Sequence, residues 1–141
     1  MLIGISPLLT PHLLHALAAM GHGDTIVFID ANYPSTRGRR TIPLHGVPMA
    51  DVLDAVLRVL PLDTFIANPA TVMQAVDGSE QPAIADIDAV LGAHGAKPAE
   101  RLERFAFYTA AEQAYALVVT GERRFYGNVI LTKGVIPPEA S

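Results

Sequence analysis

Two polar residues, one before the apolar run 25–30 and one at its end, have side chains that suit proton transfer and the binding of hydroxyl groups. His22 stands between two glycines, so no bulky neighbour covers it. Histidine is the side chain best suited to proton exchange near neutral pH. Asp30 ends the run 25–30, where a carboxylate can accept hydrogen bonds from the hydroxyl groups of a polyol. The alternatives are an exposed histidine in an ordinary turn and an aspartate that caps the following loop.

Two later segments combine a polar group with aromatic rings. Arg104 begins the segment 104–108, in which a guanidinium stands beside three aromatic side chains. Such a group suits the hydroxyls and the apolar face of a sugar ring. Tyr126, Gly127 and Asn128 supply a phenol and an amide, which hydrogen-bond neutral hydroxyl groups. The alternatives are a strand-edge arginine with inward-packed aromatic neighbours, and a plain turn between two strands.

Metal, cofactor and phosphate sites have weaker support. His12 and His15 are spaced for one helix face, but no further ligands follow at helical spacing, which favours a solvated face. Arg37, Arg39 and Arg40 form a basic cluster that would suit a phosphate, although a net charge of -4 favours a solvated loop. The sequence has no cysteine and no glycine-rich phosphate loop. We therefore expect no metal and no cofactor.

Length and composition limit the class of protein. The 141 residues suit one domain, 1–141, and the 50% apolar and 17% charged residues exclude intrinsic disorder. No apolar run approaches the roughly 18 residues of a membrane helix. Without a signal-peptide pattern or cysteine, we expect a cytoplasmic protein. The acidic balance argues against nucleic acid. The low charge content also predicts that apolar surface is buried in a homo-oligomer.

Alternating helices and strands must position the candidate residues, and this alternation predicts an α/β fold. Thr10 is the expected N-cap of the first helix. The sequence predicts helices at 7–21, 48–60, 82–93 and 108–114. It predicts strands at 25–30, 40–44, 64–67, 70–76, 101–105, 115–120 and 128–132. In open α/β sheets ligands bind beyond the carboxyl ends of strands, which is where Asp30 falls.

The motifs occur in an order that resembles the L-fucose mutarotase family, which is related to the D-ribose pyranases. The resemblance rests on the runs 5–9, 20–24, 29–31, 104–108, 119–123, 126–128 and 133–135, so it covers nearly the whole chain. Arg104 and the Gly-Glu-Arg run at 121–123 are similar to the fucose branch, because the ribose branch usually has histidine at the position of Arg104. The loop 32–40 departs from that branch, which often has a histidine-containing loop, so the exact sugar stays open.

The resemblance implies a three-layer α/β/α fold with a mixed, mostly parallel six-stranded sheet. It implies ring-like homo-oligomers, commonly decamers, with active sites between subunits. The implied partner is a monosaccharide, with no nucleic acid and no membrane. His22 matches the proton donor of the family. The sugar-binding positions of the family match Asp30, Arg104, Tyr126, Gly127 and Asn128.

The expected activity is therefore interconversion of the α and β anomers of a monosaccharide, with His22 as acid and base. L-Fucose is the sugar that the resemblance favours. Opening a cyclic hemiacetal takes one proton from the anomeric hydroxyl and gives one to the ring oxygen. Such a step needs no hydride acceptor. Two alternatives remain. One is a phosphosugar or aldose–ketose isomerase that uses the arginines of the segment 37–40, and the other is a sugar-binding module without catalysis.

Overall fold

The computed structural model describes residues 1–140, along which helices and strands alternate. The helices are α1 (Pro11–Ala19), α2 (Met49–Leu57), α3 (Pro82–Ala93) and α4 (Arg104–Glu112), with a 3-10 turn at Pro138–Ala140. The strands are β1 (Thr25–Ile29), β2 (Thr41–Leu44), β3 (Ala70–Met73), β4 (Glu100–Leu102), β5 (Ala116–Thr120) and β6 (Val129–Thr132). Within this described part of the chain, every helix is too short or too polar to cross a membrane.

All six strands belong to one sheet, in the order β2-β5-β1-β6-β3-β4. β1, β2 and β5 are parallel to one another, and β3 is parallel to β4. β6 runs antiparallel to both of its neighbours, β1 and β3. Five strands therefore end on the same side of the sheet, its carboxyl end, and β6 begins there. The opposite side, the amino end, holds the starts of those five strands and the end of β6.

Helices cover both faces of this sheet. Ile26 and Phe28 of β1 pack in a core with residues of α1, α2 and α3. Val27 and Ile29, which point the other way, pack in a second core with Phe107 of α4. Because β1 is buried on both faces, it is an apolar run rather than an alternating pattern. The expected three-layer α/β/α architecture with a mixed, mostly parallel sheet is confirmed.

The predicted elements agree best where local capping signals are strong. The third helix covers Pro82–Ala93, as predicted. Thr10 is the N-cap of α1, and its Oγ1 accepts from the backbone N–H of Leu13 at 3.3 Å. The helix is shorter than the predicted 7–21, because Pro11 occupies its first turn and Met20 leaves the helical conformation.

Two predicted strands are wrong. Residues 64–67 form bends, because the carboxylate of Asp63 accepts from the backbone N–H of Phe65 at 3.0 Å and turns the chain there. The predicted strand 101–105 ends at Leu102 as β4. Glu103 then caps α4, since its carboxylate accepts from the backbone N–H groups of Phe105 and Ala106, each at 3.0 Å. Arg104 therefore lies in the first turn of a helix.

Candidate functional site

The carboxyl end of the sheet brings distant parts of the sequence together. Asp30 directly follows β1, and Asn128 directly precedes β6. Because β1 and β6 are antiparallel neighbours, the residue after one strand lies beside the residue before the other. The turn after β5 and the start of α4, which follows β4, lie at the same end. Four of the predicted sugar-binding residues line one pocket here: Asp30, Arg104, Tyr126 and Asn128.

Asp30 and Asn128 form a buried, mutually hydrogen-bonded pair. The backbone N–H of Asp30 donates to Oδ1 of Asn128 at 2.8 Å, and Nδ2 of Asn128 donates to Oδ2 of Asp30 at 3.0 Å. The other carboxylate oxygen, Oδ1, accepts from the backbone N–H of Asn32 at 2.9 Å. Both side chains are therefore held in one orientation before any ligand binds.

Burial raises the pKa of the Asp30 carboxyl above its usual value of 3.8. Hydrogen bonds from the backbone of Asn32, the side chain of Asn128 and the backbone of Gly127 act in the opposite direction. The nearby carboxylate of Glu122 adds to the rise. A carboxyl group shifted by its environment and lying in a pocket is a candidate for binding or proton transfer.

Tyr126 and Gly127 shape one wall of the site. Tyr126 has φ of 63°, a left-handed conformation that is uncommon for a residue with a side chain. Its hydroxyl oxygen accepts from the backbone N–H of Val76 at 3.2 Å, which ties this turn to the segment after β3. Gly127 contacts the buried side chain of Glu122, so that a Cβ at Gly127 would come within 2.5 Å of Cγ of Glu122. The turn therefore requires glycine at position 127.

Arg104 contributes an exposed cation at the rim. Its guanidinium carbon lies 4.6 Å from the centre of the Phe105 ring, and this ring is 63% exposed. Among the described residues, no carboxylate lies within 4.0 Å of the Arg104 guanidinium, so Arg104 and Asp30 are not an ion pair. The donors of Arg104 thus remain available to a ligand.

The pocket has a volume of about 320 Å³, at the lower end of the range for small-molecule sites. Its wall includes Tyr33 and Tyr108, whose rings meet edge to face with their centres 5.5 Å apart. Burial raises the pKa of Tyr33 to about 12, so the phenol stays protonated. Sequence reasoning missed Tyr33, since only the folding of the loop 32–40 against α4 brings it to the site. The complete lining is Asp30, Asn32, Tyr33, Pro34, Met73, Arg104, Tyr108, Phe125, Tyr126 and Asn128.

His22 does not line this pocket. It precedes β1 at the amino end of the sheet, so the length of β1, roughly 16 Å at about 3.3 Å per residue, separates it from Asp30. Its Nε2 lies 3.1 Å from Oδ1 of Asp63, and its ring packs 5.5 Å from that of Phe65. The His22 side chain is 44% exposed, whereas that of Asp63 is buried. His22 is thus an accessible imidazole that is hydrogen-bonded to a buried carboxylate.

The backbone N–H of Phe65, and after it the bond to His22, hold the pKa of Asp63 below its usual 3.8. The ionised carboxylate orients the imidazole, because a bond to Nε2 leaves Nδ1 as the free ring nitrogen. Asp63 was not predicted from the sequence. Its only sequence signal is a carboxylate two residues before an exposed aromatic residue, which is too common to be informative.

The other candidate residues do not assemble into a site. Arg39 donates to the carbonyl of Ala111 at 3.0 Å, and Arg40 stacks on the ring of Tyr115 at 4.4 Å. The basic cluster is thus dispersed among different partners. His12 and His15 are exposed on α1. In residues 1–140 no group of three histidine, cysteine, aspartate or glutamate side chains is arranged to hold a metal ion.

Comparison with known proteins identifies the family. Residues 3–136 match the model of the RbsD / FucU transport protein family, so the chain belongs to the RbsD/FucU family. It is 43% identical over 143 residues to the human protein named fucose mutarotase, covering 94% of this chain and 93% of that protein. It is 43% identical over 142 residues to the L-fucose mutarotase of Glaesserella parasuis, covering 97% of each.

Solved structures of related proteins have the same fold. A crystal structure of a fucose mutarotase from Streptococcus pneumoniae in complex with L-fucose matches with a TM-score of 0.90 and 36% identity, over 96% of this chain and 100% of that one. The structure of RbsD from Bacillus subtilis complexed with D-ribose matches with a TM-score of 0.76 and 26% identity, over 92% and 95%. L-Fucose and D-ribose, the ligands of these two relatives, are both neutral monosaccharides.

Proposed function

We propose that this protein is a monosaccharide mutarotase that interconverts the α and β anomers of L-fucose. The observation that carries the proposal is the preformed Asp30–Asn128 pair inside a pocket of about 320 Å³ with aromatic walls. Relatives 43% identical over nearly their whole length bear the name fucose mutarotase. The protein is thus an enzyme of the isomerase class, because mutarotation changes the configuration at the anomeric carbon and leaves the composition of the sugar unchanged.

The pocket residues supply binding and orientation. The Asp30 carboxylate and the Asn128 amide bind hydroxyl groups of the sugar, while the exposed donors of Arg104 reach its rim. The aromatic side chains cover the apolar face of the ring, and Tyr126 contributes its phenol from the turn held by Gly127. Such fixed groups orient the anomeric centre for reaction.

The chemical step is acid–base exchange by His22. The imidazolium gives a proton from Nδ1 to the ring oxygen, the bond between C1 and the ring oxygen breaks, and the proton of the anomeric hydroxyl passes to a solvent water, so that the hemiacetal opens to the aldehyde. After rotation about the C1–C2 bond the ring closes on the other face, with the two proton transfers reversed. Nδ1 is the exchanging nitrogen, because Asp63 engages Nε2. General acid–base assistance of this kind typically gives about 10²–10⁴-fold.

His22 acts on the pocket of a neighbouring copy. Within one chain β1 holds His22 and Asp30 at opposite ends of the sheet. A single copy therefore has the histidine at one end and the pocket at the other, and these are the two halves of the proposed active site. Exposed aromatic side chains flank both halves. Phe65 beside His22 is 73% exposed, and Phe125 in the pocket wall is 70% exposed. Contact between unlike ends is heterologous, and such contacts close into rings, as in a decamer built from rings.

The proposal is tested by NMR of anomer exchange with L-fucose, D-galactose, D-arabinose and D-ribose. We expect the protein to accelerate exchange most with L-fucose. Sugar binding without faster exchange would indicate a binding module instead. Exchange seen only with phosphorylated sugars, or movement of the carbonyl group along the carbon chain, would indicate an isomerase of another kind.

Subunit mixing tests the shared site. His22→Gln and Asp30→Asn are each expected to exchange anomers at least about tenfold more slowly than the wild type as pure assemblies. Co-expressed in equal amounts, they should regain about a quarter of the wild-type exchange rate, because about a quarter of the contacts then join an intact histidine to an intact pocket. The control mixes His22→Gln with a His22→Gln/Asp30→Asn double variant, which contains no intact histidine. A mixture as inactive as this control would rule out sites shared between copies.

A further inference from the structure

Glu122 is a buried carboxylate directly beneath the sugar pocket. Only 5% of its side chain is exposed, and it follows β5 by two residues. Its backbone carbonyl accepts from the N–H of Ala31 at 2.7 Å, and its own N–H donates to Oγ1 of Thr120 at 3.2 Å. Glu122 is therefore joined to the residue that follows Asp30.

The side chain of Glu122 also supports the opposite wall of the pocket. Cγ of Glu122 would lie 2.5 Å from a Cβ placed on Gly127, so the two residues are in direct packing contact. Gly127 connects Tyr126 to Asn128, two residues of the pocket lining. A change in the position of Glu122 would thus move both the Asp30 side and the Asn128 side of the site.

Arg124 pairs with this buried charge from the protein surface. Nε of Arg124 donates to Oε1 of Glu122, and Nη1 donates to Oδ2 of Asp86 on α3 at 2.7 Å. A buried carboxylate without a partner is costly, and removal of its cation leaves that cost uncompensated. Arg124 is therefore the cationic partner of the buried Glu122 side chain.

We propose that Glu122 and Arg124 are positioning residues of the sugar pocket: Glu122 supports the turn at 126–128, and Arg124 pairs with the buried carboxylate of Glu122 and holds it in place. The inference rests on the proposed function only where the experiment measures kcat/KM for L-fucose, and the titration of Asp30 does not depend on that function. Neither residue lines the pocket, so both act through Asp30 and Asn128.

The sign of the expected effect follows from the charges around Asp30. The titratable and charged groups that face it are Glu122 after β5, Arg104 on α4, and the phenols of Tyr33, Tyr108 and Tyr126. Of these, Glu122 opposes ionisation of Asp30. Without Arg124 that opposition is stronger, so the carboxyl of Asp30 should keep its proton to higher pH.

The experiment titrates the Asp30 carboxyl by ¹³C NMR in the wild type, in Arg124→Gln and in Arg123→Gln. Arg123 is the matched control, because its side chain is exposed and forms no hydrogen bond or ion pair with any of residues 1–140. We expect Arg124→Gln to raise the Asp30 midpoint by about one pH unit. The acidic limb of kcat/KM for L-fucose should move with it, while Arg123→Gln matches the wild type.

The double variant Glu122→Gln/Arg124→Gln separates charge from a general loss of folding. Because it removes both members of the pair, its Asp30 midpoint should return toward the wild-type value. Midpoints in Arg124→Gln equal to those of Arg123→Gln, or an equal shift in the single and double variants, would overturn the inference. If the wild type does not accelerate anomer exchange, the proposed function fails, and the carboxyl titration still decides the role of Arg124.

Discussion

The two ends of the sheet carry different kinds of polar chemistry. At the carboxyl end, Asp30 and Asn128 are buried and bind each other, and the pocket around them is assembled from the ends of β1 and β3, the turn before β6, and α4. At the amino end, His22 is accessible and only its partner Asp63 is buried. The first arrangement fixes two buried polar side chains in one orientation, and the second leaves an imidazole accessible to solvent. Under the proposed function, recognition and proton transfer are therefore separate tasks in this fold.

Loss of the proton-transfer group should have the largest effect. His22→Gln is expected to lower the rate of L-fucose anomer exchange by at least about tenfold, and up to the 10²–10⁴-fold typical of acid–base assistance. Because the side chain is half-exposed, the melting temperature should stay at the wild-type value. His12→Gln, on the exposed face of α1, is the control. An unchanged exchange rate in His22→Gln would remove the amino end of the sheet from the mechanism.

Asn128→Ala should weaken both sugar binding and the fold. The substitution leaves the backbone N–H and one carboxylate oxygen of Asp30 without their partner in a buried site. Each lost hydrogen bond should cost roughly 1–3 kcal/mol. Isothermal titration with L-fucose and thermal unfolding would measure the two losses. A variant that binds sugar like the wild type would show that the pair only stabilises the fold.

Arg104→Ala should weaken sugar binding alone. Its side chain is exposed and packs only on the exposed ring of Phe105, so thermal unfolding should be unchanged. The affinity for L-fucose should fall by about 1–3 kcal/mol if its donors bind hydroxyl groups. Arg123→Ala provides a matched surface arginine. Equal affinities of the two variants would exclude Arg104 from the site and confine recognition to the buried pair.

Asp63→Asn should have its clearest effect on stability in acid. The fold lowers the pKa of Asp63, so its ionised form contributes stability that is fully present above the usual value of 3.8 and is lost as the pH falls through the lowered value. The wild type should therefore lose melting temperature in this acidic range more steeply than Asp63→Asn does. Asp51→Asn, on the exposed first turn of α2, is the control. Parallel pH profiles of all three proteins would contradict this assignment.

The carboxyl end of the sheet was largely predictable from the sequence. Asp30 and Asn128 adjoin the two most apolar runs, and residues at strand ends gather where parallel strands finish. The sequence interpretation assigns Arg104 to a short strand at 101–105. The decisive feature was instead Glu103, whose carboxylate caps α4, and a glutamate is an uncommon cap. The wall formed by Tyr33 and Tyr108 depends on how a long loop packs on that helix, which no local pattern encodes.

The separation of His22 from Asp30 was also present in the sequence, although proximity along the chain conceals it. A strand between two residues places them at opposite ends, since each residue of a strand advances the chain by about 3.3 Å. No local sequence pattern identifies the partner of the histidine. Asp63 lies 41 positions away and meets His22 only because β6 and the segment after α2 converge at the amino end.

If sites are shared between copies, as proposed, the placement of His22 and Asp30 at opposite ends of β1 has a consequence for mixed populations of this chain. A copy that lacks both His22 and Asp30 spoils the contact on each of its sides, although it takes only one place in a ring. In assemblies formed at random, the number of working sites would then fall as the square of the intact fraction. A defective copy present in equal amount with a normal one would therefore leave about a quarter of the sites working, whereas independent sites would leave about half.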